Sequence, residues 1–266
     1  MSAFRLGPNR SYRSRQASST PGIEISEIDG VRALHIDSST VQSAMRIKAP
    51  YDLELRYSRG MMSFMLFRDD VREVVVLGLG GGSIPKFLHH YVPAIRTRVV
   101  EINAEVIEIA RRHFFLPDDD ERLQVILGDG AEYLPANPGT ADLLILDAFD
   151  GQGVPSGLYS QDFFDTCAEA LTGNGMLAAN LWGSDKNFDI YLQRIEQSFD
   201  NRVLVLPTGR PGNIVVFGFR RAPADLRWAS LRERAKVLAE QYQLEFLEFV
   251  ERLRDNNPNT SNRLTL

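Results

Sequence analysis

Between residues 72 and 220, short apolar runs alternate with amphipathic segments. The first run, EVVVLGLG, begins at residue 73, and each such run is typical of a strand buried on both faces of a parallel sheet. The segments between the runs place apolar side chains every three or four positions, as helices do. Strands that alternate with helices form a sheet covered on both faces. The pattern therefore predicts an α/β fold.

The last two apolar runs predict how this sheet ends. RVLVLP and NIVVFGFR are separated only by TGRPG, at residues 208–212. A parallel connection needs a dozen or more residues, so these two strands must pair antiparallel if they are neighbours. An otherwise parallel sheet with a reversed last strand is typical of class I methyltransferase-type, Rossmann-like folds. A dehydrogenase-type nucleotide fold would continue with another crossover.

The chain before residue 71 has a different pattern. IEISEIDGVRALHID alternates apolar and polar residues around Asp29 and Gly30, a dipeptide suited to a tight hairpin turn. After Pro50, LELRYSRGMMSFMLF has helical spacing. We therefore expect a small N-terminal β segment with a linking helix.

These patterns divide the chain into five parts. Residues 1–21 carry arginines and serines with few apolar side chains and are predicted to be a disordered tail. The β segment with its linking helix covers 22–70, and the α/β domain covers 71–222. A helical segment over 223–255 precedes a polar tail over 256–266, which is also predicted to be disordered.

Composition narrows the class of protein. The chain has 266 residues, a net charge of −5 and a single cysteine, Cys167. No stretch approaches the roughly 18 apolar residues of a membrane span, and the N-terminus has no apolar signal-peptide core. We expect a cytoplasmic globular protein without membrane partners, and the mild acidity gives no support for nucleic-acid binding. The histidines have no metal-ligand spacing, so no metal is expected.

A glycine-rich turn follows the first strand of the domain. Gly78, Gly80 and Gly82 lie just before the first helix, where glycine lets the backbone approach a ligand and the helix start offers free N–H groups. The third glycine of a dinucleotide-binding GxGxxG pattern is replaced by Ser83. A tight turn without a ligand is the alternative interpretation.

Acidic residues end the next two strands. Glu101 follows Gly78 by 23 positions and is placed to accept hydrogen bonds from both ribose hydroxyls of an adenosine. The alternative is a solvated carboxylate. Asp129 and Gly130 end the third strand, where a side-chain oxygen could accept an adenine amino proton; Asp-Gly is also a common turn.

Two further acids follow the fourth strand. Asp147 and Asp150 come directly after the apolar run LLIL, and ligands of open α/β sheets bind outside the carboxyl ends of the strands. Two carboxylates there could bind or deprotonate an amine. The alternative is a pair that caps a helix or orders a loop.

Taken together, these residues resemble the spermidine synthase (polyamine aminopropyltransferase) family over roughly residues 28–220. The similar segments, in chain order, are DGVRALHIDSSTVQS, VVVLGLGGGS, VVEIN, GDGAEYL, DAFDGQGVPSGLYSQDFF and LPTGRPGNIVVFGF. The family has a class I S-adenosylmethionine-dependent methyltransferase-type fold after a small β domain.

The resemblance implies roles for the candidate residues. Asp150 matches the catalytic acid, with Asp147 as its companion, and Tyr57 matches a residue of the acceptor pocket. The implied donor is S-adenosylmethionine or its decarboxylated form, the acceptor a small amine, and the assembly a homodimer. The residues implied to bind the donor are Gln42, Gly78, Gly80, Gly82, Glu101, Asp129 and Gly130.

Three departures from the family concern the amine-binding half of the site. Gly81 stands where the family has an aspartate that holds the donor's amine. Arg59 stands in place of the acid in the family's Tyr-x-Glu-Met stretch, and Gly151 in place of a proline. Aminopropyl transfer is the leading hypothesis.

The alternatives are methyl transfer to a small acceptor, with Arg59 binding a carboxylate, and a non-catalytic nucleoside-binding protein. An NAD dehydrogenase is least favoured, because Ser83 breaks its fingerprint and the final hairpin does not suit it.

Overall fold

A three-stranded antiparallel sheet begins the part of the chain that the computed structural model describes, which is residues 22–36, 40–148, 159–209 and 212–266. The strands are β1 (Ile23–Ile28), β2 (Val31–Ile36) and β3 (Ser43–Arg46). Asp29 and Gly30 join β1 to β2 with φ of 51° and 75°, so both residues of the predicted hairpin turn are left-handed. The predicted tail over 1–21 lies outside the described residues.

A helical stretch links this sheet to the second one. Helix α1 (Arg56–Met61) continues directly into a 3₁₀ helix (Met62–Leu66), whose residues are all buried. The elements that follow are β4 (Glu73–Leu77), α2 (Ser83–Tyr91), β5 (Arg96–Glu101), α3 (Ala104–Phe114), β6 (Leu123–Leu127), α4 (Gly130–Tyr133), β7 (Ala141–Leu146), α5 (Gln161–Ala170), β8 (Leu171–Trp182), α6 (Phe188–Ser198), β9 (Val203–Pro207), β10 (Asn213–Phe219), α7 (Trp228–Tyr242) and α8 (Phe246–Asn256). None of the helices in the described part of the chain is long and apolar enough to cross a membrane.

The second sheet has seven strands in the order β9-β10-β8-β7-β4-β5-β6. The pairs from β8 to β6 are parallel, and β10 lies antiparallel to both β8 and β9. The short connection between β9 and β10 therefore forms the predicted antiparallel hairpin, and the reversed last strand is confirmed. The chain inserts β10 between β9 and the parallel strands.

Alternate side chains of the central strands enter two separate apolar cores. In β4, Val74 and Val76 face the side covered by the small sheet, α1 and the C-terminal helices. Val75 and Leu77 face the side covered by α5 and α6. Because both faces are covered, the strands are almost wholly apolar, as the sequence pattern indicates.

The C-terminal helical segment consists of two helices rather than one. Gln243 has a φ of 55° and ends α7 in the left-handed conformation, after which α8 begins within a few residues. Both helices contribute buried residues to the same core, among them Trp228 and Phe246.

The segment 256–266, predicted to be a disordered tail, is instead folded back on the domain. Leu264 is fully buried, and its N–H donates to Leu226 O at 2.9 Å. The Trp228 indole N–H donates to Thr260 O at 3.0 Å. One apolar side chain therefore anchors a polar segment, which composition alone does not reveal.

Asn257 in this segment also covers the edge strand β9. Its Oδ1 accepts from Val205 N at 2.7 Å, and its Nδ2 donates to Val205 O at 2.8 Å. The side-chain amide thus pairs with a strand edge that would otherwise have free backbone groups.

The burial of Leu264 gives a stability prediction. We expect Leu264→Ala to lower the free energy of unfolding by about 2–5 kcal/mol, because it leaves a cavity in the core. Leu266→Ala is the matched control, since Leu266 is 38% exposed, and we expect it to cost less than about 1 kcal/mol. Urea unfolding of both variants measures the difference. Equal effects would mean that the segment does not pack as described.

Candidate active site

The glycine turn lies at the carboxyl end of β4, directly beside the end of β7. Gly78, Gly80 and Gly82 have φ of 92°, 51° and 69°, which is left-handed backbone that favours glycine. A Cβ on Gly78 would lie 2.5 Å from the carbonyl oxygen of Asp147. The turn can therefore pass this close to Asp147 only without a side chain at position 78.

Glu101, at the end of β5, holds this turn through its carboxylate. Its Oε2 accepts from Leu79 N and its Oε1 from Asn103 N, both at 2.9 Å. Burial raises the pKa of Glu101, and the backbone N–H groups oppose that rise. A carboxylate has about four acceptor positions, so the backbone N–H groups of Leu79, Ile102 and Asn103 leave it capacity for a further donor.

Asp129 begins the short helix α4 after β6. Its Oδ1 accepts from Ala131 N at 2.8 Å, which is the helix-capping role that the Asp-Gly turn suggests. A Cβ on Gly130 would lie 3.0 Å from a methyl group of Leu77. Asp129 and Gly130 are thus next to the end of β4, where the glycine turn starts.

Asp147 lies at the centre of a hydrogen-bonded group. Tyr57 donates its hydroxyl to Asp147 Oδ2 at 3.1 Å, and the same hydroxyl is 3.3 Å from Gln42 O. Asn180 Nδ2 donates to Asp147 Oδ1 at 2.9 Å. Burial raises the pKa of Asp147 to about 7, while the bonds from Asn180 and Tyr57 favour the ionised form.

Gly60 allows Tyr57 to reach Asp147. A Cβ on Gly60 would lie 2.6 Å from Thr208 Cγ2 and 3.6 Å from Val215 Cγ2, so α1 lies against the β9–β10 hairpin at close range. This contact brings the N-terminal part of the chain onto one face of the large sheet, against β8 and β10.

Arg59 is held by partners within the protein. Its Nε donates to Leu53 O at 2.7 Å, its Nη2 to Glu54 O at 3.2 Å and its Nη1 to Glu245 at 2.6 Å. The guanidinium therefore joins the linking segment to the start of α8. The structure gives no support to the hypothesis that Arg59 binds a carboxylate of an acceptor.

Packing around Gly81 leaves no space for the aspartate that the family has at this position of the glycine turn. A Cβ on Gly81 would lie 2.8 Å from both Phe114 Cδ1 and Ser43 Oγ. Ser43 is buried, and its hydroxyl is 3.3 Å from that of Ser83. An aromatic ring and a hydroxyl thus use the space that a carboxylate side chain would need.

Two residues of the site are not found by sequence reasoning. Asn213 Nδ2 donates to Asn180 Oδ1 at 2.8 Å, which extends the group around Asp147. Asn180 is only 3% exposed and stands inside the apolar run GMLAANLW, a signal that could have indicated it. Asn213 begins a strand after a loop and has no comparable signal.

The structure brings most of the predicted site residues to one edge of the sheet. Asp150, the predicted catalytic acid, lies outside the described residues. In the described ranges, no group of three or more His, Cys, Asp or Glu side chains could hold a metal ion. The predicted residues found at the carboxyl ends of β4, β5, β6 and β7 or in contact with them are Gln42, Tyr57, Gly78, Gly80, Gly82, Glu101, Asp129, Gly130 and Asp147.

The strand order and the glycine turn define a class I methyltransferase-type α/β protein. Human methyltransferase-like protein 13 in complex with SAH has the same fold, with a TM-score of 0.64 and 24% identity over 71% of this chain and 93% of that one. A probable spermidine synthase from Corynebacterium glutamicum has a TM-score of 0.68 and 22% identity over 82% of each chain.

The particular family follows from sequence comparison. The spermine/spermidine synthase domain model matches residues 54–208. A polyamine aminopropyltransferase of Chromobacterium violaceum is 39% identical over 246 residues, which are 92% of this chain and 94% of the relative. The chain belongs to the spermine/spermidine synthase family.

Because the pKa of Asp147 is raised in the folded protein, ionisation of Asp147 should lower the free energy of unfolding as the pH rises. We call this loss of stability the cost of ionisation. The ordinary pKa of Asp147 is 3.8 and its folded value is about 7, so the folded protein holds this proton more tightly than the unfolded chain. The cost is absent below pH 3.8, grows as the pH rises and is complete above about 7. It reaches up to about 4 kcal/mol.

Asp147→Asn should remove this cost. We expect the variant to be more stable than the wild type, by an amount that increases from pH 5 to pH 8 in urea unfolding. Asp118→Asn is the control, because Asp118 is fully exposed, and its effect should be small at both pH values. A gain from Asp147→Asn that is equal at both pH values would contradict the explanation.

Because the space at Gly81 is closed, we expect different outcomes from alanine substitutions at Gly81 and Gly128, neither of which has a left-handed φ. We expect Gly81→Ala to lower the free energy of unfolding by about 1–3 kcal/mol, because Phe114 and Ser43 must move. A Cβ on Gly128 would meet no atom within 4 Å, so Gly128→Ala should change stability by less than about 1 kcal/mol. Urea unfolding compares the two, and similar values would show that position 81 has free space.

Proposed function

We propose that this chain is an aminopropyltransferase that takes decarboxylated S-adenosylmethionine as donor and a small amine as acceptor. The observation that supports the proposal is the setting of Asp147: its backbone oxygen lies against the glycine turn at Gly78, and its carboxylate accepts hydrogen bonds from Tyr57 and Asn180. Membership of the spermine/spermidine synthase family supports the same reaction.

The donor half of the site fits a thioether nucleoside. We assign the ribose hydroxyls to Glu101 and the adenine amino group to Asp129. Ile102 and Leu127, at the ends of neighbouring strands, are 69% and 59% exposed. Exposed apolar side chains of this kind suit the face of a planar base. The bound donor supplies a carbon made electrophilic by an adjacent sulfonium.

The acceptor half of the site fits the removal of a proton from an amine. An alkyl ammonium has a pKa near that of lysine, about 10.4, and must lose a proton before its nitrogen can act as a nucleophile. Burial holds the pKa of Asp147 at about 7, so its ionised form is accessible near neutral pH and can accept that proton. Tyr57 fixes the orientation of the carboxylate. We assign proton acceptance to Asp147 and the orientation of the amine to Asp150, the acid that matches the family's catalytic residue.

Methyl transfer from S-adenosylmethionine is the second candidate, and the packing at Gly81 favours it. Without a carboxylate at that position, the aminopropyl ammonium of the decarboxylated donor loses the partner that the family provides. A donor that carries its own carboxylate would have less need of such a partner.

The reaction is tested by binding and by product analysis together. Calorimetry with S-adenosylmethionine, its decarboxylated form and methylthioadenosine measures which donor binds. Mass spectrometry of mixtures with a panel of diamines identifies an aminopropyl or a methyl addition. We expect binding of the decarboxylated donor and an aminopropylated product. A methylated product would establish the second candidate, and binding without turnover would establish a non-catalytic nucleoside-binding protein.

Substitution of Glu101 tests the donor site most directly. We expect Glu101→Gln to weaken donor binding by about 2 kcal/mol, roughly thirtyfold, because the charged hydrogen bonds to the ribose are lost. Glu108→Gln is the control, since Glu108 is an exposed residue of the following helix paired with Arg112. Calorimetry measures both, and equal affinities of the two variants would exclude Glu101 from the ribose site.

We also propose that the protein is cytoplasmic and forms a homodimer. A single, buried cysteine in a chain of this length supports a reducing, cytoplasmic environment. Family membership supports a homodimer, which light scattering of the purified protein would measure.

A further inference from the structure

Two asparagines form a directed chain of hydrogen bonds that ends on Asp147. Asn213 Nδ2 donates to Asn180 Oδ1 at 2.8 Å, and Asn180 Nδ2 donates to Asp147 Oδ1 at 2.9 Å. We call Asn213, Asn180 and Asp147 the amide relay. An amide group has one acceptor end and one donor end, so the bond from Asn213 determines which end of Asn180 faces the carboxylate.

The strands hold the relay in place. Asn180 lies in β8 and Asn213 in the adjacent antiparallel strand β10, with Asn180 paired to Val215 and Asn213 paired to Trp182. The two asparagines are thus diagonal neighbours on one face of the sheet, within reach of each other. Across the hairpin, Thr208 bonds only the backbone at the start of β10: its N–H and its hydroxyl both donate to Asn213 O, at 2.9 and 2.8 Å.

The direction of the relay matters for proton transfer. While Asn213 donates to Asn180, the latter can present only its N–H group to Asp147, and an N–H donor stabilises a carboxylate. If Asn213 did not donate, the amide of Asn180 could turn over and present its oxygen. An amide oxygen next to Asp147 favours the protonated acid, which cannot accept a proton from an amine.

The other groups around Asp147 do not replace this donor. Tyr57 from α1 donates to the second carboxylate oxygen, and Tyr159, just before α5, interacts with Asp147 electrostatically. Burial raises the pKa of both tyrosines well above the ordinary value, so both stay neutral near pH 7. Asp185 acts on Tyr159 in turn. Within the described residues, the ionised form of Asp147 is favoured by the hydrogen bonds from Asn180 and Tyr57.

We propose that Asn213 is a positioning residue, which acts through Asn180 to keep Asp147 in the form that accepts a proton. The catalytic consequence rests on the proposed function, since it is the amine acceptor that supplies the proton. The relay itself is a property of the folded protein and can be measured without any substrate.

A double-mutant cycle read by NMR tests the relay. The protein is labelled with ¹³C at aspartate carboxyl groups, and the Asp147 signal is assigned by its absence in Asp147→Asn. We expect Asn213→Leu to raise the pKa of Asp147 by about one. Asn180→Leu should raise it at least as much. In the Asn180→Leu background, Asn213→Leu should add nothing, because its effect passes through Asn180.

Thr208→Val is the matched control. It removes the hydroxyl bond to Asn213 O, but the backbone N–H of residue 208 still donates to the same oxygen and the relay side chains stay intact, so the pKa of Asp147 should not change. Asn213→Ala tests the same step if the leucine variant does not fold. The proposal is overturned if folded Asn213 variants leave the pKa of Asp147 unchanged, or shift it equally with and without Asn180.

Kinetics separate this proposal from the proposed function. If the wild type transfers an aminopropyl group, Asn213→Leu should move the acid limb of the kcat profile to higher pH by the amount seen by NMR. Its KM for the donor should stay the same, because the donor site is untouched. If the wild type shows no transfer, the proposed function fails, and the NMR cycle still decides whether Asn213 controls Asp147.

Discussion

The site depends on the close approach of Gly78 to the carbonyl oxygen of Asp147, where β4 and β7 end side by side. A Cβ at position 78 would lie 2.5 Å from that oxygen, so no other residue fits there without moving one of the two strands. This approach brings a turn suited to a nucleoside and an acidic side chain into one place. Glu101 then fixes the turn from the neighbouring strand through Leu79 N. The proposed donor and acceptor halves of the site therefore share one backbone contact.

Much of this arrangement could be predicted from sequence, because local patterns determine it. Apolar runs indicated the buried strands, and a five-residue connection indicated the antiparallel pairing of β9 with β10. Glu101 and Asp147 were found because strand ends of a parallel sheet meet at one edge.

What could not be predicted depends on contacts between distant parts of the chain. The bond from Tyr57 to Asp147 requires α1 to lie against the β9–β10 hairpin, a contact that Gly60 permits. Leu264 is one apolar residue in a polar segment, and only the folded core shows where it packs. The bond between Asn180 and Asn213 joins residues 33 positions apart.

The hydrogen-bond donors to the Asp147 carboxylate are neutral groups, Tyr57 and Asn180, and this has a chemical consequence. A lysine or arginine beside Asp147 would ionise it fully, but it would also lower the basicity of the carboxylate and repel a cationic amine. Amide and hydroxyl donors favour the ionised form more weakly, so burial still holds the pKa near 7. The folded protein then loses some stability at neutral pH. In the proposed reaction, the ionised acid is then available near neutral pH, where the amine acceptor would have to lose its proton. A buried carboxylate next to neutral donors is therefore better suited to accept a proton than a salt-bridged one.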